Sequence, residues 1–135
     1  MQSYIRLLRP SQWLKNTFVF APLIFSKHLF DETYVTAALI AFVAFSLVSS
    51  AVYIINDIVD READKLHPIK KERPIASGKI SSVSGSGIAV IIFSSGLYLS
   101  QILPLFFTGI LLSYFILQLL YSFTLKHVVI LDIFV

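Results

Sequence analysis

Residues 35–64 read VTAALIAFVAFSLVSSAVYII, an apolar run ending at Ile55, followed by Asn56-Asp57-Ile58-Val59-Asp60-Arg61-Glu62-Ala63-Asp64. The run carries no charge, and its length meets the roughly 20 residues a membrane-spanning helix needs. In the second part, Asp57, Asp60 and Asp64 follow one another at spacings of three and four. That places three carboxylates on one face of a continuing helix. Stacked like charges repel and need cations beside them. Acidic groups at a helix C-terminus also oppose the macrodipole, so the arrangement is unfavourable unless a cation is recruited. Cations follow at once in the sequence, as Lys65, Lys70, Lys71, Arg73 and Lys79.

The composition agrees with a membrane setting. The 135 residues are 56% hydrophobic and 14% charged, whereas a soluble domain carries roughly 25% charged residues. Cysteine is absent, which removes disulfides, thiolate metal sites and cysteine nucleophiles together. The expected fold class is all-α, a polytopic transmembrane helical bundle forming one domain over residues 1–135. Spans are predicted at 13–30, 35–56, 85–103 and 105–123, with the start of a fifth after residue 128 and a polar loop at 57–84. Residues 4–13 read as an interfacial helix, with Trp13 at headgroup level and Arg6 and Arg9 facing anionic lipid. No small-x-small cleavage site follows the first apolar stretch, which argues against a signal peptide.

With four spans, the N-terminus, the 57–84 loop and Lys126 share one side of the membrane, and Lys27 alone marks the other. The positive-inside rule makes the aspartate-bearing side cytoplasmic.

A carboxylate face backed by a basic loop suits a Mg²⁺-diphosphate site, in which carboxylate-bound metal and direct Lys or Arg contacts share the phosphates. Asp57, Asp60 and Asp64 are the candidate metal ligands and catalytic residues, with Asn56 beside them. Lys71 and Arg73 are candidate phosphate contacts, Arg73 being held on a rigid backbone by Pro74. Gly78 would let backbone amides approach the same anion. Lys15 and Asn16 are polar groups inside the first span, where polarity is costly and often functional. Tyr121, Lys126 and Asp132 form a further polar group around the end of the fourth span.

Blander readings stand beside these. The aspartates could be a solvated helix end paired with lysines, worth little energetically. The basic loop could serve only topology or lipid contact. His67 before Pro68 reads as a turn residue, since no paired His or Cys spacing supports zinc. Ser82 or Ser84 is a plausible N-cap for the third span. Nucleic-acid binding would need interleaved basic and aromatic residues on a soluble face, which the chain lacks. A transporter or channel wants ionisable groups near mid-bilayer, and the second, third and fourth spans have none.

The motif Asn56-Asp57-x-x-Asp60-x-x-x-Asp64 followed by Arg73-Pro74-Ile75-Ala76-Ser77-Gly78 resembles the UbiA superfamily of intramembrane prenyltransferases. Leu8-Arg9-Pro10-Ser11-Gln12-Trp13-Leu14-Lys15-Asn16 and Asp64-Lys65-Leu66-His67-Pro68-x-Lys70 look like its decaprenyl-phosphate phosphoribosyltransferase branch. Tyr121-Ser122-x-x-Leu125-Lys126 with Leu131-Asp132 matches the same branch. The resemblance implies a larger helical bundle around a cavity open to the cytoplasm and laterally to lipid, in the bacterial inner membrane. It implies Mg²⁺ on Asp57, Asp60 and Asp64 with Asn56 in support, phosphate contacts from Lys71 and Arg73, and secondary membership for Lys126 and Asp132; Lys15 joins Asn56, Lys71, Arg73 and Lys126 as a candidate substrate-binding residue. The implied partners are a polyprenyl lipid, a diphosphate-bearing substrate and membrane lipid.

In the phosphoribosyl branch the diphosphate belongs to phosphoribosyl pyrophosphate; in the aromatic branches, serving quinone or haem precursors, it belongs to the prenyl donor. The resemblance also implies a second aspartate-rich motif on a later helix, which residues 1–135 do not contain. The expectation is therefore an N-terminal half that is inactive alone, with the C-terminal half as a partner if it is a separate chain. A non-catalytic membrane fragment is the remaining alternative.

Overall fold

The computed structural model describes residues 2–123, so Lys126 and Asp132 lie outside the described residues. Helix α1 (Gln2–Leu8) leads into a 3₁₀ helix (Pro10–Phe20) and α2 (Ala21–Phe25). Then come α3 (Glu32–Val59), α4 (Arg61–Leu66), a 3₁₀ turn (Lys70–Glu72), α5 (Ser82–Ser100) and α6 (Leu105–Phe123). No strand occurs among the described residues. Helices α3, α5 and α6 are each long and apolar enough to cross a membrane, and the chain is an integral membrane protein of all-α class.

Local chemistry sets the helix starts. The Asp31 carboxylate accepts from Thr33 N–H at 2.9 Å and caps α3, satisfying a donor that the first helical turn leaves orphaned. Ser81 caps α5, its hydroxyl accepting from Ser84 N–H at 3.1 Å. The cap thus falls one residue before Ser82 and three before Ser84, the two positions expected from sequence, because Ser81 is the last residue with extended backbone. Between α5 and α6 the hydroxyls of Ser100 and Thr108 pair at 2.9 Å inside the protein.

Helix α3 is the centre of the bundle and packs against α1, the 3₁₀ helix, α5 and α6. Small residues let α5 come close. A Cβ built on Gly96 would lie 2.8 Å from Val48 Cγ2 and 3.0 Å from the Ala44 carbonyl oxygen, and a backbone carbonyl cannot move aside. This is the small-residue crossing typical of membrane helices. Gly96→Val is therefore expected to destabilise the chain by about 1–3 kcal/mol through overpacking, read as a lowered thermal midpoint in detergent. Helix α6 joins both partners through aromatic contacts: the rings of Phe93 on α5 and Phe115 stack at 4.1 Å, and those of Phe45 on α3 and Tyr114 meet at 4.7 Å. The outer faces of α5 and α6 expose Val90, Ile91, Tyr98, Ile110, Leu117 and Leu120, a surface suited to lipid or to further helices.

Residues 13–30, expected as one span, are not one continuous helix. They comprise most of the 3₁₀ helix, the single short helix α2, and turns before Glu32. The 3₁₀ geometry has a physical reason in its register with α3. Trp13 Nε1 donates to Ser50 Oγ at 2.9 Å, and Asn16 Nδ2 donates to Ser46 Oγ at 3.1 Å. Three residues of a 3₁₀ helix rise about 6 Å, as do four residues of an α-helix. A ladder stepping by three on one strand of chain and by four on the other thus stays aligned. Trp13 is consequently bonded into the bundle rather than resting at headgroup level alone, and Asn16 is a buried structural bond. Eleven 3₁₀ residues and five α-helical ones reach about 30 Å, the thickness of a hydrocarbon core.

Candidate active site

The aspartate run does not lie on one straight helix. Helix α3 ends at Val59, Asp60 adopts a bridging conformation (φ −87°, ψ 4°), and α4 starts at Arg61. The hydrogen-bond ladder continues through the joint, with Asp60 N–H on the Asn56 carbonyl at 2.9 Å and Asp64 N–H on that of Asp60 at 2.8 Å. Asp57 and Asp64 thereby turn inward and are almost fully buried, at 1% and 3% exposure. Asp60 is half-buried at the joint. Glu62 stays solvated, its carboxyl held below the usual range by the hydrogen bond from Lys65. The bland pairing therefore describes Glu62, not Asp57 or Asp64.

Two buried carboxylates need compensation, and two arginines supply it. Arg73 Nη1 donates to Asp57 Oδ1 at 3.1 Å and to Asp64 Oδ2 at 2.7 Å, bridging the pair. From the other side of the chain, Arg9 Nη2 donates to the same Asp57 Oδ1. Arg9 also lies over the Tyr53 ring, 5.1 Å from its centroid, a cation–π contact. Its backbone is left-handed (φ 50°, ψ 58°) at the junction between α1 and the 3₁₀ helix. Such a conformation costs on the order of 1 kcal/mol for a non-glycine residue, and the ion pair holds it. Arg9, expected to face lipid, is instead drawn onto Asp57, a site contact that sequence reasoning missed. Its motif Leu8-Arg9-Pro10 was visible, but the partner stands 48 positions away.

The basic loop approaches as expected, with different residues forward. His67 shapes it: Nδ1 accepts from the N–H groups of Ile69 and Lys70, each at 3.2 Å, confirming the turn reading. Lys70 lines a groove of 360 Å³ together with Arg6, Arg9, Asp57, Glu72 and Arg73. Lys71, on the same 3₁₀ turn, is exposed and does not line it. Lys15 is exposed on the 3₁₀ helix and is likewise outside the groove. Gly78 takes a left-handed turn (φ 77°), and its N–H is spent on the Ile75 carbonyl at 3.2 Å, so its amide does not reach the site. Asn56 is half-buried beside Asp57.

No cluster of three His, Cys, Asp or Glu residues stands ready to cage a metal among the described residues. Magnesium does not require one, since it is usually held by one or two carboxylates with substrate phosphates and water. The donors fit that mode. Arg73 Nη1 marks a point from which a single cation contacts both carboxylates. Asp57 Oδ2 and Asp64 Oδ1 are uncommitted to hydrogen bonds among the described residues.

Comparison with known proteins gives the family. A profile described as the UbiA prenyltransferase family matches residues 17–135. The chain is 39% identical over 133 residues to a decaprenyl-phosphate phosphoribosyltransferase of Mycolicibacterium smegmatis, covering 96% of this chain and 42% of the relative. It is 37% identical over 133 residues to uncharacterized protein y4nM of Sinorhizobium fredii, covering 98% of this chain and 26% of that protein. It is 36% identical over 81 residues to a digeranylgeranylglyceryl phosphate synthase of Sulfolobus acidocaldarius, covering 60% of this chain and 29% of the synthase. The chain spans less than half the length of each of these relatives. With a family profile matched over residues 17–135, most of its length and a stretch that includes Asp57, Asp64 and Arg73, the chain belongs to the UbiA prenyltransferase family.

Proposed function

We propose that residues 1–135 build the first aspartate site of a membrane transferase that moves phosphoribose from phosphoribosyl pyrophosphate onto a polyprenyl phosphate. The observation that carries this reading is the convergence of Arg73 and Arg9 on the buried Asp57–Asp64 pair at one end of α3. The relatives add support, because the phosphoribosyltransferase and the glyceryl phosphate synthase both carry a lipid phosphate in their names. Arg6, Arg61, Lys65, Lys70, Lys71 and Lys79 lie at that same end, and Lys27 lies beyond the other end of α3. By the positive-inside rule this charge asymmetry supports our reading that the site faces the cytoplasm, and we propose a bacterial inner membrane as its setting.

UbiA enzymes are generally magnesium-dependent. Bound Mg²⁺ would neutralise charge on the departing pyrophosphate. Asp57 and Asp64 would hold it, with Asp60 at the joint between their helices. Arg73, which bridges the two carboxylates here, would offer its planar fork to the diphosphate oxygens. In the transfer, a lipid phosphate oxygen bonds to the anomeric carbon of ribose while the bond from that carbon to pyrophosphate breaks. The site contributes electrostatic stabilisation and exclusion of water. Residues 1–135 supply one carboxylate cluster, and we propose that they bind the donor without turning it over by themselves.

Membranes carrying only this chain test the reading when incubated with radiolabelled phosphoribosyl pyrophosphate, polyprenyl phosphate and Mg²⁺. Retention of the donor on the protein without labelled lipid is the expected result. Labelled lipid would overturn the claim of inactivity. Retention of a prenyl diphosphate in preference to phosphoribosyl pyrophosphate would favour aromatic prenyl transfer instead.

A further inference from the structure

We infer that the groove between α1 and the 69–74 loop is a second anion subsite, one that takes a phosphomonoester next to the diphosphate. The inference rests on the reading above and names what else that site binds. Four cationic side chains, Arg6, Arg9, Lys70 and Arg73, line the groove against two carboxylates, Asp57 and Glu72. Asp57 already accepts from both Arg9 and Arg73. Arg6 and Lys70 have no acidic partner among the described residues. The groove therefore carries a surplus of positive charge in a concave space of 360 Å³, large enough for a phosphate group and its nearest substituent. Asp60 and Asp64 do not line it. Arg73 forms the partition, with one nitrogen on the Asp57–Asp64 pair and the side chain forming part of the groove wall.

The groove walls come from two elements held in place. Arg9 is fixed by Asp57 and Tyr53, and the loop wall is fixed by the His67 bonds. Pre-set cations lose little entropy on meeting an anion, and charge-assisted bonds to phosphate are the stronger kind. On α1 the exposed Tyr4 and Ile5 flank Arg6, so an apolar chain attached to the phosphate would meet a compatible surface. In phosphoribosyl transfer both substrates bear a phosphomonoester, the lipid acceptor and the 5-position of the donor sugar. The shared chemistry is the monoester dianion, and experiment separates its two sources.

The test is calorimetric titration of the full chain in detergent with farnesyl phosphate and, separately, ribose 5-phosphate. The double variant R6Q/K70Q changes two exposed side chains, and its thermal midpoint should match the native chain. It is expected to weaken one of the two probes by at least about tenfold while leaving Mg²⁺-pyrophosphate binding within about twofold. K79Q, which removes an exposed charge outside the groove, should change none of the three. Loss of farnesyl phosphate assigns the subsite to the acceptor, and loss of ribose 5-phosphate assigns it to the donor. Unaltered binding of both probes, no binding of either by the native chain, or an equal loss of pyrophosphate would overturn the inference. A native chain that binds a monoester through Arg6 and Lys70 but never binds Mg²⁺-pyrophosphate would sink the proposed function and leave the subsite standing.

Discussion

Arg73→Met is expected to destabilise the chain by about 3–5 kcal/mol, the usual consequence of removing one partner from a buried ion network. Methionine fills much of the volume but leaves Asp57 and Asp64 facing each other with the bridging nitrogen gone. Arg9 still compensates Asp57, whereas Asp64 loses its ion-pair partner among the described residues. Divalent cation should then take over the bridging role. Millimolar Mg²⁺ is expected to raise the thermal midpoint of the variant markedly and that of the native chain little, since in the native chain Arg73 already bridges the two carboxylates. Thermal unfolding in detergent, with and without Mg²⁺, reads both effects. A variant as stable as the native protein, or one indifferent to Mg²⁺, would show that the two carboxylates do not share a cation.

Asp57→Asn is expected to lower affinity for Mg²⁺-phosphoribosyl pyrophosphate by about 100-fold, the size of loss that follows truncation of a buried, hydrogen-bonded charge. The substitution keeps shape and one carbonyl acceptor for Arg9 and Arg73, so the fold is retained better than in Arg73→Met. Asp57 is singled out because its Oδ1 accepts from both arginines and because it is shared between the carboxylate pair and the groove. Glu62→Gln is the matching control, since Glu62 is solvated and paired with Lys65. Calorimetry of the three proteins should give near-identical binding for the native chain and Glu62→Gln.

The parts legible in the sequence were those set by local pattern. An uncharged run of spanning length is helical in lipid whatever surrounds it, because the bilayer leaves no other way to satisfy the backbone; α3, α5 and α6 follow from that. Asp57, Asp64 and Arg73 were legible as a group because like charges so close in sequence demand a cation nearby. The break at Asp60 was less so, since three-and-four spacing is satisfied equally by one helix or by two with a continuous hydrogen-bond ladder. The 3₁₀ form of Pro10–Phe20 was hidden for a different reason. It follows from the spacing of Ser46 and Ser50 on another helix, and no local propensity encodes that register. That Lys70 rather than Lys71 lines the groove was hidden similarly, since on a one-turn helix adjacent residues face different ways. The Arg9 contact was out of reach because its partner, Asp57, stands 48 positions away on a different helix.

The central claim is that the inward-turned acidic end of α3–α4 and the arginines opposite it hold a magnesium-chelated diphosphate together. Titrating pyrophosphate into the solubilised chain at fixed Mg²⁺, and again with the metal chelated, tests it directly. Saturable binding that requires Mg²⁺ and is lost in both Asp57→Asn and Asp64→Asn is the predicted result. Binding that persists without the metal, or survives both substitutions, would contradict it.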